Sequence, residues 1–225
     1  MRLLFCLLLS LAAFAQSDIV FIRRTPATGG TPPSQVTGQE CHAYSTGSTP
    51  NTFSCNLPSA VTANNLIAVG VWVSYTGASM SCSDATNGAY TAVTSQRNDS
   101  SAGRAYQFFY FKNAAAVTTI SCTLSQNDVS GQMVAIEIEG ASTTDPVDSY
   151  GSGTGSAGFT TVAANTFALG LVVHDSAVSD PAWSQIDSYG WYQKTILDGE
   201  PFPTAGVKTY DPTTSYDCIA AAFKP

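Results

Sequence analysis

The sequence predicts an all-β protein folded as an antiparallel sandwich of two sheets. Runs of apolar, β-branched and aromatic residues recur along the chain and are separated by turns rich in Gly, Asn and Ser. The clearest run is residues 130–140 (SGQMVAIEIEG), in which every second residue belongs to one face of a central strand. One face carries Val134, Ile136 and Ile138, and the other carries Met133, Ala135, Glu137 and Glu139. Helical periodicity is almost absent, which disfavours an α/β nucleotide-binding architecture.

Three more apolar runs supply the rest of the predicted core: residues 65–75, 104–112 and 165–173. Residues 84–88 (DATNG) predict a tight hairpin turn, because Asn87 and Gly88 accept positive backbone angles. A calcium loop is the functional alternative for this turn, although further oxygen ligands are not evident nearby. The glycine-rich residues 151–158 (GSGTGSAG) do not open a helix, so we interpret them as a flexible connection rather than a phosphate-binding loop.

The first fifteen residues have the features of a secretory signal peptide. One Arg precedes the apolar run LLFCLLLSLAAF, and the small-x-small pattern Ala13-Phe14-Ala15 follows. The run is shorter than the roughly 20 residues of a membrane-spanning helix. We therefore expect a secreted or cell-surface protein with three parts: a signal peptide (1–15), an N-terminal strand and linker (16–40) and a β-sandwich domain (41–225).

The charge balance restricts the partners. The net charge is −7 at pH 7, and removing Arg2 with the signal leaves eight basic against sixteen acidic residues. Such a surface repels phosphate groups and anionic lipid, so we expect neither nucleic acid nor membrane as a partner. We also expect no cofactor and no metal.

Five cysteines remain after the predicted cleavage, and they point to disulfides in an oxidising compartment. None forms a CxxC pair, and the two histidines are not grouped with them, which disfavours a zinc site. The expected pairs are Cys82 with Cys122 and Cys41 with Cys55, leaving Cys218 as a free thiol.

A succession of short motifs resembles a group of secreted bacterial β-sandwich modules of jelly-roll type. The motifs are LPSAVTANNLIAVGVWV, SDATNGAYTAV, YQFFYFKNAAA, TTISCTLS, GQMVAIEIEGASTTDPVD, TVAANTFALGLV and CIAAAFKP, within residues 55–225. Most matching positions are turn and core residues. The resemblance implies a jelly-roll sandwich and an extracellular binding module, often suspected of carbohydrate recognition and mostly without assigned activity. The cysteines and the segment before residue 41 depart from the pattern of these modules.

Glu137 and Glu139 are the candidate catalytic residues if the protein is an enzyme. Two carboxylates on one strand face lie about 7 Å apart, a separation at which they could divide acid and base roles on a glycosidic bond. The alternative is that they decorate a solvent face, or that Glu137 satisfies a buried polar group. A serine hydrolase is disfavoured because the chain contains no GxSxG stretch and only two histidines.

A cluster of aromatic residues near the C-terminus is the candidate ligand-binding site. Flat rings can stack on sugars while neighbouring amides and carboxylates bond to hydroxyl groups. The alternative is that some of these rings fill the interior of the sandwich. The candidate residues are Trp183, Tyr189, Trp191 and Tyr192, with Asp187 as a polar partner.

Together these observations favour a secreted, non-catalytic binding module for an extracellular polysaccharide or surface polymer. The first alternative is a glycoside-cleaving enzyme that uses Glu137 and Glu139. The second is a structural subunit of a surface layer or filament that self-associates by donating residues 19–41 to a neighbour's sheet.

Overall fold

The computed structural model describes residues 31–45, 51–100, 102–174, 182–189, 194–212 and 217–225. In these ranges every regular element is a β-strand, and every strand pairing is antiparallel. The predicted all-β antiparallel sandwich is confirmed. The jelly-roll connectivity stays a prediction.

The first large sheet, sheet A, holds the strand that the sequence singles out. Its order is β1-β10-β3-β8-β6, and β7 also pairs with β8. The strands are β1 (Ser34–Ser45), β3 (Leu66–Val73), β6 (Thr91–Ala92), β7 (Arg97–Asp99), β8 (Arg104–Phe111) and β10 (Gly131–Glu139).

The second large sheet, sheet C, is formed by the C-terminal part of the chain. Its order is β11-β17-β13-β15-β14. The strands are β11 (Val147–Thr154), β13 (Thr166–His174), β14 (Ser184–Tyr189), β15 (Lys194–Phe202) and β17 (Asp217–Phe223).

Two smaller sheets complete the fold. Sheet B has the order β2-β9-β4-β5, and sheet D pairs β12 with β16. The strands of sheet B are β2 (Thr52–Asn56), β4 (Met80–Asp84), β5 (Gly88–Ala89) and β9 (Thr119–Leu124). Those of sheet D are β12 (Ala157–Thr161) and β16 (Gly206–Tyr210).

Three hydrophobic cores join the four sheets in the layer order B, A, C, D. Sheets B and A enclose one core, A and C enclose the second, and C and D enclose the third. Sheets A and C therefore form the predicted sandwich, and a smaller sheet covers the outer face of each. This arrangement explains why β3 and β17 are buried at every residue.

The face assignment predicted for β10 is confirmed. Met133 and Ala135 lie in the core against sheet B, whereas Val134, Ile136 and Ile138 lie in the core against sheet C. Both faces of this strand are buried up to Ile138.

Both predicted disulfides are confirmed. Cys41 on β1 is bonded to Cys55 on β2, which ties sheet A to sheet B. Cys82 on β4 is bonded to Cys122 on β9, directly opposite it within sheet B. Cys218 is buried and forms no disulfide with another described cysteine.

The glycine-rich segment is ordered strand rather than the flexible connection that we expect from its composition. It forms the end of β11, a turn, and the start of β12, which folds back over β11. A Cβ atom at Gly151 would lie 2.1 Å from the carbonyl oxygen of Gly158, and one at Gly153 would lie 2.0 Å from that of Ser156. Glycine is required here because the two backbones touch.

Strand β1 crosses the position expected to divide the N-terminal strand and linker (16–40) from the β-sandwich domain (41–225). It begins at Ser34, opposite Glu139, and its pairing with β10 continues through Cys41, opposite Ala135. The division between residues 40 and 41 therefore falls inside a strand. Residues 34–41, which the structural-subunit hypothesis assigned to a neighbour, complete the chain's own sheet, and residues 1–30 lie outside the described part.

A polar clamp also joins the two large sheets. Arg97 on β7 donates from Nε to Oδ2 of Asp217 on β17 at 2.8 Å, and Thr154 on β11 donates to the other carboxylate oxygen. The hydrogen bond to Asp217 raises the pKa of Arg97. The Asp217 side chain is almost fully buried, so the clamp keeps its charge paired.

Candidate functional site

An open groove lies between the edge strand of sheet A and the neighbouring strand of sheet B. It has a volume of about 350 Å³ and is lined by Glu40, Cys41 and His42 on β1 and by Asn56 on β2. We call it the β1–β2 groove. A carboxylate, an imidazole and an amide therefore surround an accessible space, and these groups bond readily to hydroxyl groups.

The alternation of β1 explains how the groove is built. Cys41 points into the core and forms its disulfide, whereas His42 and Tyr44 are exposed. The register of β1 against β10 shifts between Gln35 and Glu40, and Nε2 of Gln35 donates to Oε2 of Glu40 at 3.2 Å across this irregularity. The irregularity thus fixes the position of the Glu40 carboxylate.

Tyr44 places an exposed aromatic ring on the same strand as the groove residues. It lies two residues after His42 on the same side of β1, roughly 7 Å further along the strand. Its side chain is 44% exposed, and its hydroxyl donates to Oγ of Ser130 at 3.4 Å. The sequence analysis did not single out this tyrosine, because an isolated aromatic residue in a polar stretch carries no pattern of its own.

Asn56 of the groove also belongs to an outer surface of sheet B that consists of hydroxyl and amide side chains. We call this surface the hydroxyl face. All its members are exposed or half-buried, and none is charged. They are Thr52, Ser54 and Asn56 on β2, Thr119, Ser121 and Thr123 on β9, and Ser81 and Ser83 on β4.

The hydroxyl face forms regular rows across the strands. Thr52 and Thr123 oxygens are 2.9 Å apart, Ser54 and Ser121 oxygens are 2.7 Å apart, and Thr119 donates to Asn56 Oδ1 at 2.7 Å. Each such pair uses one donor and one acceptor, so hydroxyl oxygens retain lone pairs for a ligand.

The sequence contains a signal for this face. In TFSCN, MSCSD and TISCTL, a small polar residue occupies every second position between apolar residues or cysteines.

The two candidate catalytic glutamates do not share a cleft. Glu139 is exposed and accepts a hydrogen bond from Ser34, whereas Glu137 is 0% exposed. Residues 57–65, between β2 and β3, cover Glu137, with Leu57 and Val61 packed in the core beside it. The predicted face is correct, but the covering segment separates the environments of the two carboxylates.

Both oxygens of Glu137 accept hydrogen bonds from the protein. Oε1 accepts from the backbone N–H of Thr62 at 2.8 Å and from Nδ2 of Asn65 at 2.6 Å, and Oε2 accepts from Nε2 of Gln39 at 3.1 Å. Gln39 also accepts a hydrogen bond from the backbone N–H of Ser59. The carboxylate therefore fastens the covering segment to β1 and β10, which is the second role that the sequence allowed for it.

The candidate aromatic cluster is only partly described. Trp183 is 7% exposed and packs edge-on against Phe159 and Phe202 in the core between sheets C and D, with Tyr210 also in contact. Its ring belongs to the interior, which is the alternative that the sequence left open for some of these rings. The backbones of Asp187 and Tyr189 lie on β14, but their side chains are outside the described part, as are Trp191 and Tyr192 altogether.

The predicted turn between β4 and β5 is a self-contained structural element. Oδ1 of Asp84 accepts from the backbone N–H groups of Thr86 and Asn87, and Oδ2 accepts from the Asn87 amide and the Tyr90 hydroxyl. Of the Asn-Gly pair, only Gly88 has a positive φ, at 83°. Burial, together with the hydrogen bond to Asp84, raises the pKa of Tyr90. The carboxylate thus bonds to protein donors, which leaves the calcium alternative without support.

The described residues contain no cluster of three or more His, Cys, Asp or Glu side chains suited to holding a metal ion. Nor do these ranges include a helix with the length and hydropathy needed to cross a membrane.

Comparisons with known proteins identify no family. No protein-family model matches the chain, and no curated protein matches it. Among solved structures, the chain has a slight similarity to a mutant of oxalate decarboxylase from Bacillus subtilis, with 10% identity over 88% of this chain and 78% of that chain and a TM-score of 0.24. The same enzyme at pH 4.6 gives 9% identity over 88% and 77%, again with a TM-score of 0.24. Similarity this slight carries no argument about fold or function.

Proposed function

We propose that this protein is a secreted, non-catalytic module that binds an uncharged extracellular polysaccharide. The observation that carries the proposal is the β1–β2 groove, whose Asn56 also belongs to the uncharged hydroxyl face, together with the exposed ring of Tyr44 on the groove strand β1. Sugar hydroxyl groups bond to amide, carboxylate and hydroxyl side chains, and sugar C–H groups stack on aromatic faces. The groove would hold one segment of the polymer, and the hydroxyl face would support the next.

The charge of the protein favours an uncharged polymer over an acidic one. Its net charge is −7, and Glu40 lies in the groove itself. The negative net charge of the protein and the Glu40 carboxylate in the groove would both repel a polymer of uronic acids or sulfated sugars. Neutral glycans such as β-glucans, xylans and chitin avoid this repulsion.

Secretion rests on the predicted signal peptide together with the two disulfides. Disulfides persist in oxidising compartments and are rare in the cytosol. An extracellular glycan is a partner that such a location offers.

The glycosidase alternative receives no support from the position of Glu137. Its carboxylate is buried and fastened to three protein donors, so it could not reach a glycosidic bond without the covering segment moving away. The hydrogen bonds instead give this glutamate a structural role.

The test is a binding assay on the purified mature chain with insoluble chitin, xylan and mixed-linkage β-glucan. Wild type is compared with Tyr44→Ala and with Tyr150→Ala, a matched control because Tyr150 is 53% exposed on β11 at the far edge of sheet C. An aromatic contact contributes roughly 0.5–1.5 kcal/mol, so Tyr44→Ala should weaken binding about threefold to tenfold, while Tyr150→Ala leaves it unchanged.

Two further measurements separate the alternatives. Trp191→Ala tests the aromatic stretch outside the described residues; a larger loss in this variant than in Tyr44→Ala would move the site there. Assay of the same polymers for released reducing ends tests catalysis, and release abolished by Glu137→Gln in a folded variant would overturn the non-catalytic proposal. Absence of both binding and release, with larger assemblies on sizing, would favour the structural-subunit hypothesis.

A further inference from the structure

The two walls of the β1–β2 groove belong to different sheets, and a disulfide joins them. β1 is hydrogen-bonded to β10 in sheet A, whereas β2 is hydrogen-bonded to β9 in sheet B. The Cys41–Cys55 bond crosses between these two layers within the groove region, and Cys41 itself lines the groove. Close to the other end of both walls, Ser45 on β1 donates a hydrogen bond to Asn51, just before β2. The Cys41–Cys55 disulfide is therefore the covalent bond that joins the two walls of the groove.

The second disulfide has a different relation to the strands that it joins. Cys82 and Cys122 face each other on β4 and β9, which are already paired by a backbone ladder. Losing this bond leaves the same two strands hydrogen-bonded in the same sheet. Cys82 and Cys122 are 3% and 0% exposed, compared with 7% and 5% for Cys41 and Cys55. The residues of the groove disulfide are thus the more exposed of the two pairs, and access to a sulfur atom limits the rate of thiol–disulfide exchange.

We propose that the Cys41–Cys55 disulfide is a reducible clasp that holds the β1–β2 groove in its binding form, so that a dithiol reductant switches the groove off. The glycan-binding test of this inference rests on the proposed function. Its structural tests rest only on the strand connectivity. With the clasp open, the noncovalent contacts alone hold β2 against β1, and the amide of Asn56 is free to move away from Glu40 and His42.

The chemical step is a two-electron thiol–disulfide exchange. One thiolate of the dithiol attacks Sγ of Cys41, and Cys55 leaves as a thiolate that takes up a proton. The second thiol of the reductant then attacks the mixed disulfide and releases Cys41 as a thiol. The protein gains two electrons and two protons, and the dithiol becomes a cyclic disulfide. An oxidant of the disulfide class reverses the step.

The first experiment measures the order of reduction in the folded, mature protein. The protein is exposed to increasing dithiothreitol, alkylated and analysed by peptide mass spectrometry. We expect Cys41 and Cys55 to be alkylated at a dithiothreitol concentration at least tenfold below that for Cys82 and Cys122. Equal or reversed order would overturn the proposal.

The second experiment measures the groove by hydrogen exchange. In the partly reduced protein, peptides that cover β1 and β2 should exchange at least tenfold faster, while peptides that cover β13 and β17 in sheet C keep their rates. Unchanged exchange at β1 and β2 would overturn the clasp, whether or not any glycan binds.

The third experiment returns to binding of chitin, xylan and mixed-linkage β-glucan. The double substitution Cys41→Ser with Cys55→Ser should weaken binding at least tenfold, and the matched Cys82→Ala with Cys122→Ala should change it less than twofold. Reoxidation of reduced wild type should restore binding, which separates the clasp from a general folding defect. If oxidised wild type binds none of these polymers, the proposed function fails, while the first two experiments still decide the clasp.

Discussion

The sequence around Glu137 is compatible with a catalytic role and with a structural role, and only the neighbouring residues in the structure decide between them. A carboxylate on a strand face is a candidate acid or base if it faces a cleft. It has a structural role if it accepts hydrogen bonds from polar groups that surround it. Here three donors from β1 and the covering segment converge on its two oxygens. A buried charge of this kind is tolerated because hydrogen bonds replace its hydration.

We predict that Glu137→Gln destabilises the protein by about 2–3 kcal/mol, because hydrogen bonds to a charged acceptor contribute roughly 1.5–3 kcal/mol and the new amide would place N–H groups against other donors. Urea unfolding followed by circular dichroism measures the change. Glu139→Gln is the matched control on the same strand face; it should stay within about 0.5 kcal/mol because this glutamate is exposed. Equal stability of the two variants would contradict the structural role of Glu137.

The sequence does not show which segments cover each strand, and this limits predictions about single residues. The two-residue period assigned Glu137 and Glu139 to one face, and that face is correct. Residues 57–65 alone do not indicate that Leu57 and Val61 anchor this segment over Glu137, because that placement depends on a tertiary contact. Trp183 was ambiguous for a similar reason, because a tryptophan among polar residues suits either a binding surface or a core.

At the scale of elements, the glycines between β11 and β12 serve close packing. The two strands fold back on one another so closely that the backbone carbonyl of one lies where a side chain of the other would begin. Composition alone suggested flexibility, since glycine-rich stretches are common both in linkers and where backbones touch. The distinction depends on a tertiary contact that no local pattern contains.

A pair of substitutions tests this contact. Gly151→Ala should lower the free energy of unfolding by about 1–3 kcal/mol or more, because its Cβ would lie 2.1 Å from a backbone oxygen that cannot rotate away. Gly158→Ala is the control: its Cβ would meet nothing within 4 Å, so stability should be unchanged or rise by about 0.4–1 kcal/mol. Thermal melts of both variants give the comparison. A stable Gly151→Ala variant would show that this segment is the flexible connection after all.

Elements with strong local patterns were predicted better. Both expected disulfide pairs are present, and the cysteines of β2, β4 and β9 lie on the inner faces of their strands. The small polar residues that alternate with them form the hydroxyl face on the outer side of sheet B. Sequence alone does not predict this face as a site, because small polar residues are common on any solvent-facing side of a strand.

At the scale of the whole molecule, the sequence predicted two layers and the structure has four. The apolar runs that form β3, β8, β10 and β13 are correctly predicted as core strands. Their burial on both faces requires a second cover on each side, and sheets B and D supply it. These small sheets are formed by short strands of mixed composition. Long apolar runs in the sequence therefore do not predict them as separate layers.

The layer order has a consequence for how the protein unfolds. Sheet A contributes side chains to two of the three cores, and sheet C contributes to the middle core and the third. Removing any one layer therefore exposes a face of its neighbour. The Arg97–Asp217 pair adds a polar link between the two central sheets. The four layers should accordingly behave as one cooperative unit.

We predict a single urea transition for the mature protein, with coincident midpoints by far-ultraviolet circular dichroism and by tryptophan fluorescence. Trp72 reports on the core between sheets A and C, and Trp183 reports on the core between sheets C and D. Two substitutions in the outermost sheets sharpen the test: Leu124→Ala in sheet B should cost about 2–5 kcal/mol, and Phe159→Ala in sheet D about 3–5 kcal/mol.

In a cooperative molecule, each of these substitutions lowers the midpoint of the whole transition, even though the two sites lie on opposite sides of the stack. If the layers unfolded separately, Phe159→Ala would produce an early change in fluorescence while most of the circular dichroism signal remained. Leu124→Ala would then leave the environment of Trp183 unaffected. Such a separation would mean that the sandwich of sheets A and C is stable without its outer covers. The residues of sheets B and D could then change to suit the ligand without unfolding the sandwich.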